Sequence, residues 1–196
     1  MPKDGKFGHE HKDASQELWT QLEALELASG EHVWTSTCGV NMGAVPMVSR
    51  WSDGREVIVV GRGGGHSPPE RPLGVSAIDG KSGKTLWTLP LERYMSTQTF
   101  AMINDRALIF HGPEHLWVDP SGKVERRVNL CTDVKVRRWE GSSYVSQIET
   151  LNYKPGKGRA ITQQSNLLVG DYHYFRAYTE TYLGRVNVRT GKVEYL

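Results

Sequence analysis

The chain alternates short apolar runs with polar, glycine-bearing turns, and its hydrophobic period is close to two almost throughout. Glu56-Val-Ile-Val-Val-Gly61, Ala107-Leu-Ile-Phe-His-Gly112 and Asn166-Leu-Leu-Val-Gly170 are continuous apolar runs closed by glycine. Such runs predict strands buried on both faces between stacked sheets. Ahead of the first two lie Val45–Gly54 and Gln98–Asp105, each reading as a strand, a hairpin turn and the next strand. Helix-period segments are nearly absent. The one candidate helix is Ala14–Ala28, and its C-terminal part competes with a strand pattern that starts at Ala24.

One local pattern occurs four times: ALELASGEHVW at 24–34, AIDGKSGKTLW at 77–87, WVDPSGKVERR at 117–127 and RVNVRTGKVEYL at 185–196. Each runs from an apolar residue through a turn, with Ser or Thr before Gly, to an apolar or aromatic residue. Gly30, Gly83, Gly122 and Gly191 are placed to take a left-handed turn conformation between two strands. Glu26, Asp79, Asp119 and Asn187 stand just before the turns, where Asp and Asn accept turn amides.

The second copy contains GKSGKT and invites comparison with a nucleotide-binding loop, whose form is GxxxxGK[ST] between a strand and a helix. The leading glycine would fall at position 78, which is Ile78. Isoleucine cannot cheaply adopt the backbone angles that wrap a phosphate. Thr85–Pro90 then alternates, carries β-branched and aromatic residues, and ends in proline, so a strand follows and not a helix. The stretch is a hairpin turn.

These four copies resemble the blade signature of PQQ-like (quinoprotein-type) β-propeller repeats, roughly A-L-D-x-x-T-G-K-x-x-W. Ala77, Ile78, Asp79, Ser82, Gly83, Lys84 and Trp87 fall on it in order, as do Ala24, Leu25, Glu26, Ser29, Gly30, Glu31 and Trp34. The third copy is one residue shorter in its turn and has no tryptophan after it, and the fourth has Tyr195 in that place. The resemblance implies an all-β fold of about four four-stranded blades, part of a ring of seven or eight. It covers residues 22–196, behind a polar N-terminal segment at 1–21. It also implies that Trp34 and Trp87 pack between neighbouring blades, and that the ring is completed by further blades or by another chain. The interval from Gly122 to Gly191 has room for a further degenerate unit, with Lys154–Gly158 as its loop.

Composition narrows the function classes. Charged residues make up 23% and hydrophobic residues 38%, values of an ordinary folded protein. A net charge of +2 gives no field that would argue for nucleic acid or an anionic membrane. Lys135-Val-Arg-Arg-Trp139 reads as a strand with a solvated charged face. No apolar run approaches the ~20 residues of a transmembrane helix, and the N-terminus lacks the apolar core of a signal peptide. Cys38 and Cys131 form no CxxC and no zinc-ligand spacing; they are either buried thiols or one long-range disulfide.

Quinoprotein dehydrogenases of this resemblance bind pyrroloquinoline quinone with calcium and carry an adjacent-cysteine disulfide and an acidic base. The sequence has no adjacent cysteines and no recognisable acidic calcium cluster. The expectation is therefore a non-catalytic binding or scaffold module without a cofactor; the alternative is a fragment of a PQQ-dependent alcohol dehydrogenase. The resemblance further implies a bacterial protein acting in the periplasm or outside the cell, with a protein or polysaccharide partner.

Loops on a rigid frame are where a site is expected. His66 in GRGGGHSPPERP, His111 in IFHGPEH and His173 in GDYHYF follow apolar strands. With Asp171 they form a candidate metal cluster, since imidazoles and a carboxylate suit zinc or copper; individually hydrogen-bonded loop histidines are the other reading. The glycines of GRGGGHSPPERP would also let a ligand approach the backbone closely. Tyr172, Tyr174, Tyr178, Tyr182 and Tyr195, with Phe175 and Arg176, suggest a carbohydrate or peptide surface or packing between blades.

Overall fold

The computed structural model describes residues 22–38, 45–63, 73–92, 99–131, 133–150, 166–176 and 183–195. They divide into two compact units. One holds the residues up to Ala107 together with Val118–Lys123; the other holds Leu108–Trp117 and the chain from Val124 onward. The candidate helix is corrected where it can be seen: Glu23–Leu25 is strand β1 and pairs antiparallel with β2 (His32–Thr35). Residues 14–21 lie outside the described residues.

Everything else described is also antiparallel β. Strands β3 (Met47–Arg50), β4 (Glu56–Arg62), β5 (Gly74–Asp79) and β6 (Thr85–Pro90) form one four-stranded meander in that order. Strands β7 (Ala101–Ile103), β8 (Arg106–His111), β9 (Glu114–Val118) and β10 (Val124–Asn129) form a second, and β13 (Asn166–Val169), β14 (Tyr172–Arg176), β15 (Leu183–Asn187) and β16 (Val193–Tyr195) a third. The interval from Gly122 to Gly191 does hold a further element, the hairpin of β11 (Asp133–Trp139) and β12 (Tyr144–Thr150). Lys154–Gly158 lie outside the described residues.

The four sequence copies are four hairpins: β1–β2, β5–β6, β9–β10 and β15–β16, the last two strands of each meander where a whole meander is seen. Gly30, Gly83, Gly122 and Gly191 all have φ between +69° and +87°, the region that glycine reaches without a steric penalty. Each turn is closed by backbone bonds, as where Gly83 N–H donates to Asp79 O at 2.9 Å and Asp79 N–H to Lys84 O at 2.8 Å.

Two of the three apolar runs are buried on both faces, as their composition predicts. Val57, Val59 and Val60 of β4 and Ala107, Leu108, Ile109 and Phe110 of β8 are all nearly inaccessible. The third run departs from that expectation. Leu167 and Val169 of β13 are 64% and 54% exposed, and β14 buries His173 and Phe175 while Tyr172 and Tyr174 remain half-exposed. One face of this sheet carries the core and the other is open.

Candidate functional site

Three places bring polar chemistry together, and each grows from the repeat. The first is the turn itself. Asp79 Oδ1 accepts from the amides of Lys81 (3.1 Å) and Ser82 (2.8 Å) and from the Ser82 hydroxyl (2.7 Å). Asp119 does the same for Ser121 and Lys123, and Asn187 for Arg189 and Thr190. The serine hydroxyl and turn amides hold the Asp79 and Asp119 carboxyls below their usual range. These acids are committed to the turns.

The turn glycines also receive side chains. A Cβ on Gly83 would stand 2.6 Å from the Trp34 ring, and one on Gly122 would stand 2.8 Å from Trp87. Trp34 Nε1–H donates to Gly80 O at 3.0 Å. Each tryptophan stands four residues after its own turn glycine and lies on the next glycine in the series. Arg126 holds the same offset after Gly122. It donates to Arg189 O (3.0 Å) and Thr190 O, and a Cβ on Gly191 would collide with its guanidinium.

The second place is a buried histidine pair. On β9, His115 and Trp117 share a face by the two-residue period of a strand. Trp117 Nε1–H donates to His115 Nδ1 at 2.9 Å; His115 Nε2 lies 2.9 Å from His173 Nδ1; His173 Nε2 lies 2.9 Å from Asn166 Oδ1. An indole N–H can only donate, so His115 Nδ1 is the acceptor and Nε2 carries the proton. That proton is given to His173 Nδ1, and His173 Nε2–H is given to Asn166. The direction of the whole chain follows from one indole. Phe110 packs on both rings at 4.7 and 4.5 Å, and both imidazoles are inaccessible. Burial pushes His115 down to about 2, with the His173 and Arg126 charges adding to the effect, and pushes His173 down to about 3. Both are therefore neutral at physiological pH. All four ring nitrogens are engaged within the protein, so the pair is a structural relay with no lone pair left to offer.

The expected metal cluster distributes differently. His173 turns into this relay. Asp171 pairs with Arg189 at 2.8 Å, His111 is half-buried at the end of β8, and His66 lies outside the described residues. Among the described residues no three His, Cys, Asp or Glu side chains converge as metal ligands. His115 was not singled out by its sequence, although it sits in the same IFHGPEH stretch. Its signal was the alternation of β9, which puts it at a buried position beside Trp117. Neither Cys38 nor Cys131 is in a disulfide.

The third place is the open face of the third meander. Leu167, Val169 and Leu183 lie exposed beside Tyr172 and Tyr174. Arg185 stacks 4.2 Å over the Tyr172 ring and pairs with Glu194 at 2.7 Å. Tyr195 turns the other way, its hydroxyl donating to Leu130 O at 2.6 Å, and burial pushes its pKa up. Tyr178 and Tyr182 lie outside the described residues. Separately, a crevice of about 470 Å³ lies between Ser49, Arg50, Ser52 and Met102–Asp105, with Ser52 N–H donating to Asp105 at 2.9 Å across it.

No family model matches the chain, and no curated protein does. Among solved structures the chain is similar to BamB from Moraxella catarrhalis, at 16% identity and a TM-score of 0.39. The match covers 84% of this chain and 52% of that one, so the chain spans about half the length of BamB. No helix among the described residues is long and apolar enough to cross a membrane.

Proposed function

We propose that the chain is a non-catalytic binding or scaffold module of the β-propeller type, and that the open face of β13–β16 takes a protein surface. The observation that carries this is the contrast between sheets of one repeat. Strands β4, β5 and β8 are apolar on both sides and buried on both sides, whereas β13 is equally apolar and has one side uncovered. Contiguous exposed leucine and valine beside tyrosine and a stacked arginine is the composition of an interface core. The repeat resemblance supports the propeller reading and a place in the periplasm or outside the cell. Asp79, Asp119, Asp171, Glu194, His115 and His173 are committed to turns, ion pairs and the relay, which supports a role without catalysis.

The occupant that fits is another β-sheet of the same kind, from further blades or a partner chain. Sedimentation equilibrium of the chain and of Leu167→Glu/Val169→Glu tests this. Association of the unaltered chain, lost in the double variant while its circular dichroism is kept, is expected. A cooperatively folding monomer in both would overturn the reading.

A further inference from the structure

Arg62 is the last residue of β4 and is 4% exposed. It pairs with Gly74 across the ladder, and its guanidinium crosses that glycine. Nη2 donates to Leu73 O at 3.0 Å and reaches Leu89 O at 3.4 Å. A side chain at residue 74 would close this path, because a Cβ there would strike Leu89 O and stand 3.1 Å from Nη2. The Nε–H is fully buried and has no acceptor.

No carboxylate among the described residues pairs with Arg62. The polar groups on the same face are neutral. Ser76 lies two pairs along the ladder, opposite Val60, and donates to Cys38 O at 3.4 Å, and the Ser36 hydroxyl stands 3.3 Å from the Cys38 thiol. Ser36, Cys38 and Ser76 are all buried. Burial pushes the Cys38 thiol pKa up, so it does not supply the missing negative charge. With Nη2 on two backbone carbonyls, the buried guanidinium leaves its Nε–H unsatisfied. Burial correspondingly depresses the guanidinium's own pKa.

We infer that Arg62, between the ends of β4, β5 and β6, is an anion-binding site that takes a monovalent carboxylate. One positive charge calls for one negative charge, and a phosphate dianion would leave a surplus. A carboxylate oxygen accepts from the idle Nε–H. Its second oxygen meets Nη2 on the same edge of the guanidinium, where the 3.4 Å contact to Leu89 O is the weak one to replace. A halide offers one acceptor atom in place of two and matches the pair of parallel N–H bonds less well. The carboxylate of a free small acid and that of a peptide terminus present the same chemistry to Arg62. This inference does not rest on the open β13–β16 face.

The test uses the full chain labelled with ¹⁵N at arginine, with the Nε–H resonance of Arg62 assigned through its side-chain carbons. Formate, a tripeptide with a free C-terminus, and chloride are titrated at constant ionic strength. A saturable shift with formate or the peptide, absent with chloride, is expected, and the arm that saturates identifies the source. A Tm rise of roughly 3–6 °C at tenfold excess of the acid over its midpoint accompanies it. Arg62→Lys keeps the charge but lacks Nε, and should lose at least tenfold in midpoint. An Nε–H signal unmoved by either acid, or moved equally by chloride, would overturn the site whether or not the variant folds.

Discussion

Arg126 lies across Gly191 as Trp34 lies across Gly83, with the guanidinium donating to carbonyls of the turn it covers. It also stacks 4.6 Å from the Trp117 ring, which in turn donates to the buried His115. The position keeps its packing role through a change from indole to guanidinium, since both are flat and both can donate to a turn carbonyl. Arg126→Met, which keeps the length and loses the donors, is expected to cost about 1–2 kcal/mol in urea denaturation. An unchanged midpoint would show the contact to be idle.

Glycine substitutions separate the turn from the stacking. Gly30 has φ +73° and no atom within 4 Å of a would-be Cβ, whereas Gly83 has φ +69° and the Trp34 ring at 2.6 Å. Gly30→Ala should therefore cost only the left-handed backbone penalty, about 1–2 kcal/mol. Gly83→Ala should cost a further ~1–3 kcal/mol for overpacking. Equal losses in the two variants, measured by urea midpoint, would mean that Trp34 does not press on the turn.

The first turn is the least well capped. Glu26 makes no side-chain bond to its turn, while Asp79 and Asp119 each make three. Glu26→Asp should stabilise the protein by about 0.5–1 kcal/mol, and Asp79→Ala should destabilise it by a similar or larger amount. Chemical denaturation reads both, and a loss on Glu26→Asp would contradict the capping account.

The histidine relay makes stability depend on pH in a defined window. Both folded-state values, about 2 and about 3, lie below the ordinary value near 6.5. The unfolded chain therefore takes up protons that the folded chain refuses. Stability is complete above about pH 7 and falls as pH drops through the unfolded value, by about 1.4 kcal/mol per pH unit for each histidine once well below it. The depressed Asp79 and Asp119 carboxyls act in a separate range, near and below pH 4. Urea denaturation from pH 7.5 to 4.5 should show this slope, and His173→Phe should roughly halve it. The same slope in the variant would contradict the relay.

Much of this was legible in the amino-acid order because it depends on local chemistry. Glycine at a fixed offset from Asp or Asn sets each hairpin, and the runs at 56–61 and 107–112 declared their two-sided burial. Arg126 was hidden because its residue type differs from Trp34 and Trp87, although its offset from Gly122 is the same. His115 was hidden because its partners Trp117 and His173 meet only after β9 and β14 pair within their sheets. The run at 166–170 misled for a different reason. Its composition anticipates a covering sheet, whereas Leu167 and Val169 stay exposed.

That difference is the centre of the account, and radical footprinting of Leu167, Val169 and Leu183 measures it directly. In the associated state these three side chains should be protected, and they should label freely in Leu183→Glu, where the face carries a charge. Equal labelling of all three in both proteins, with each a folded monomer, would contradict a docking role for the open face.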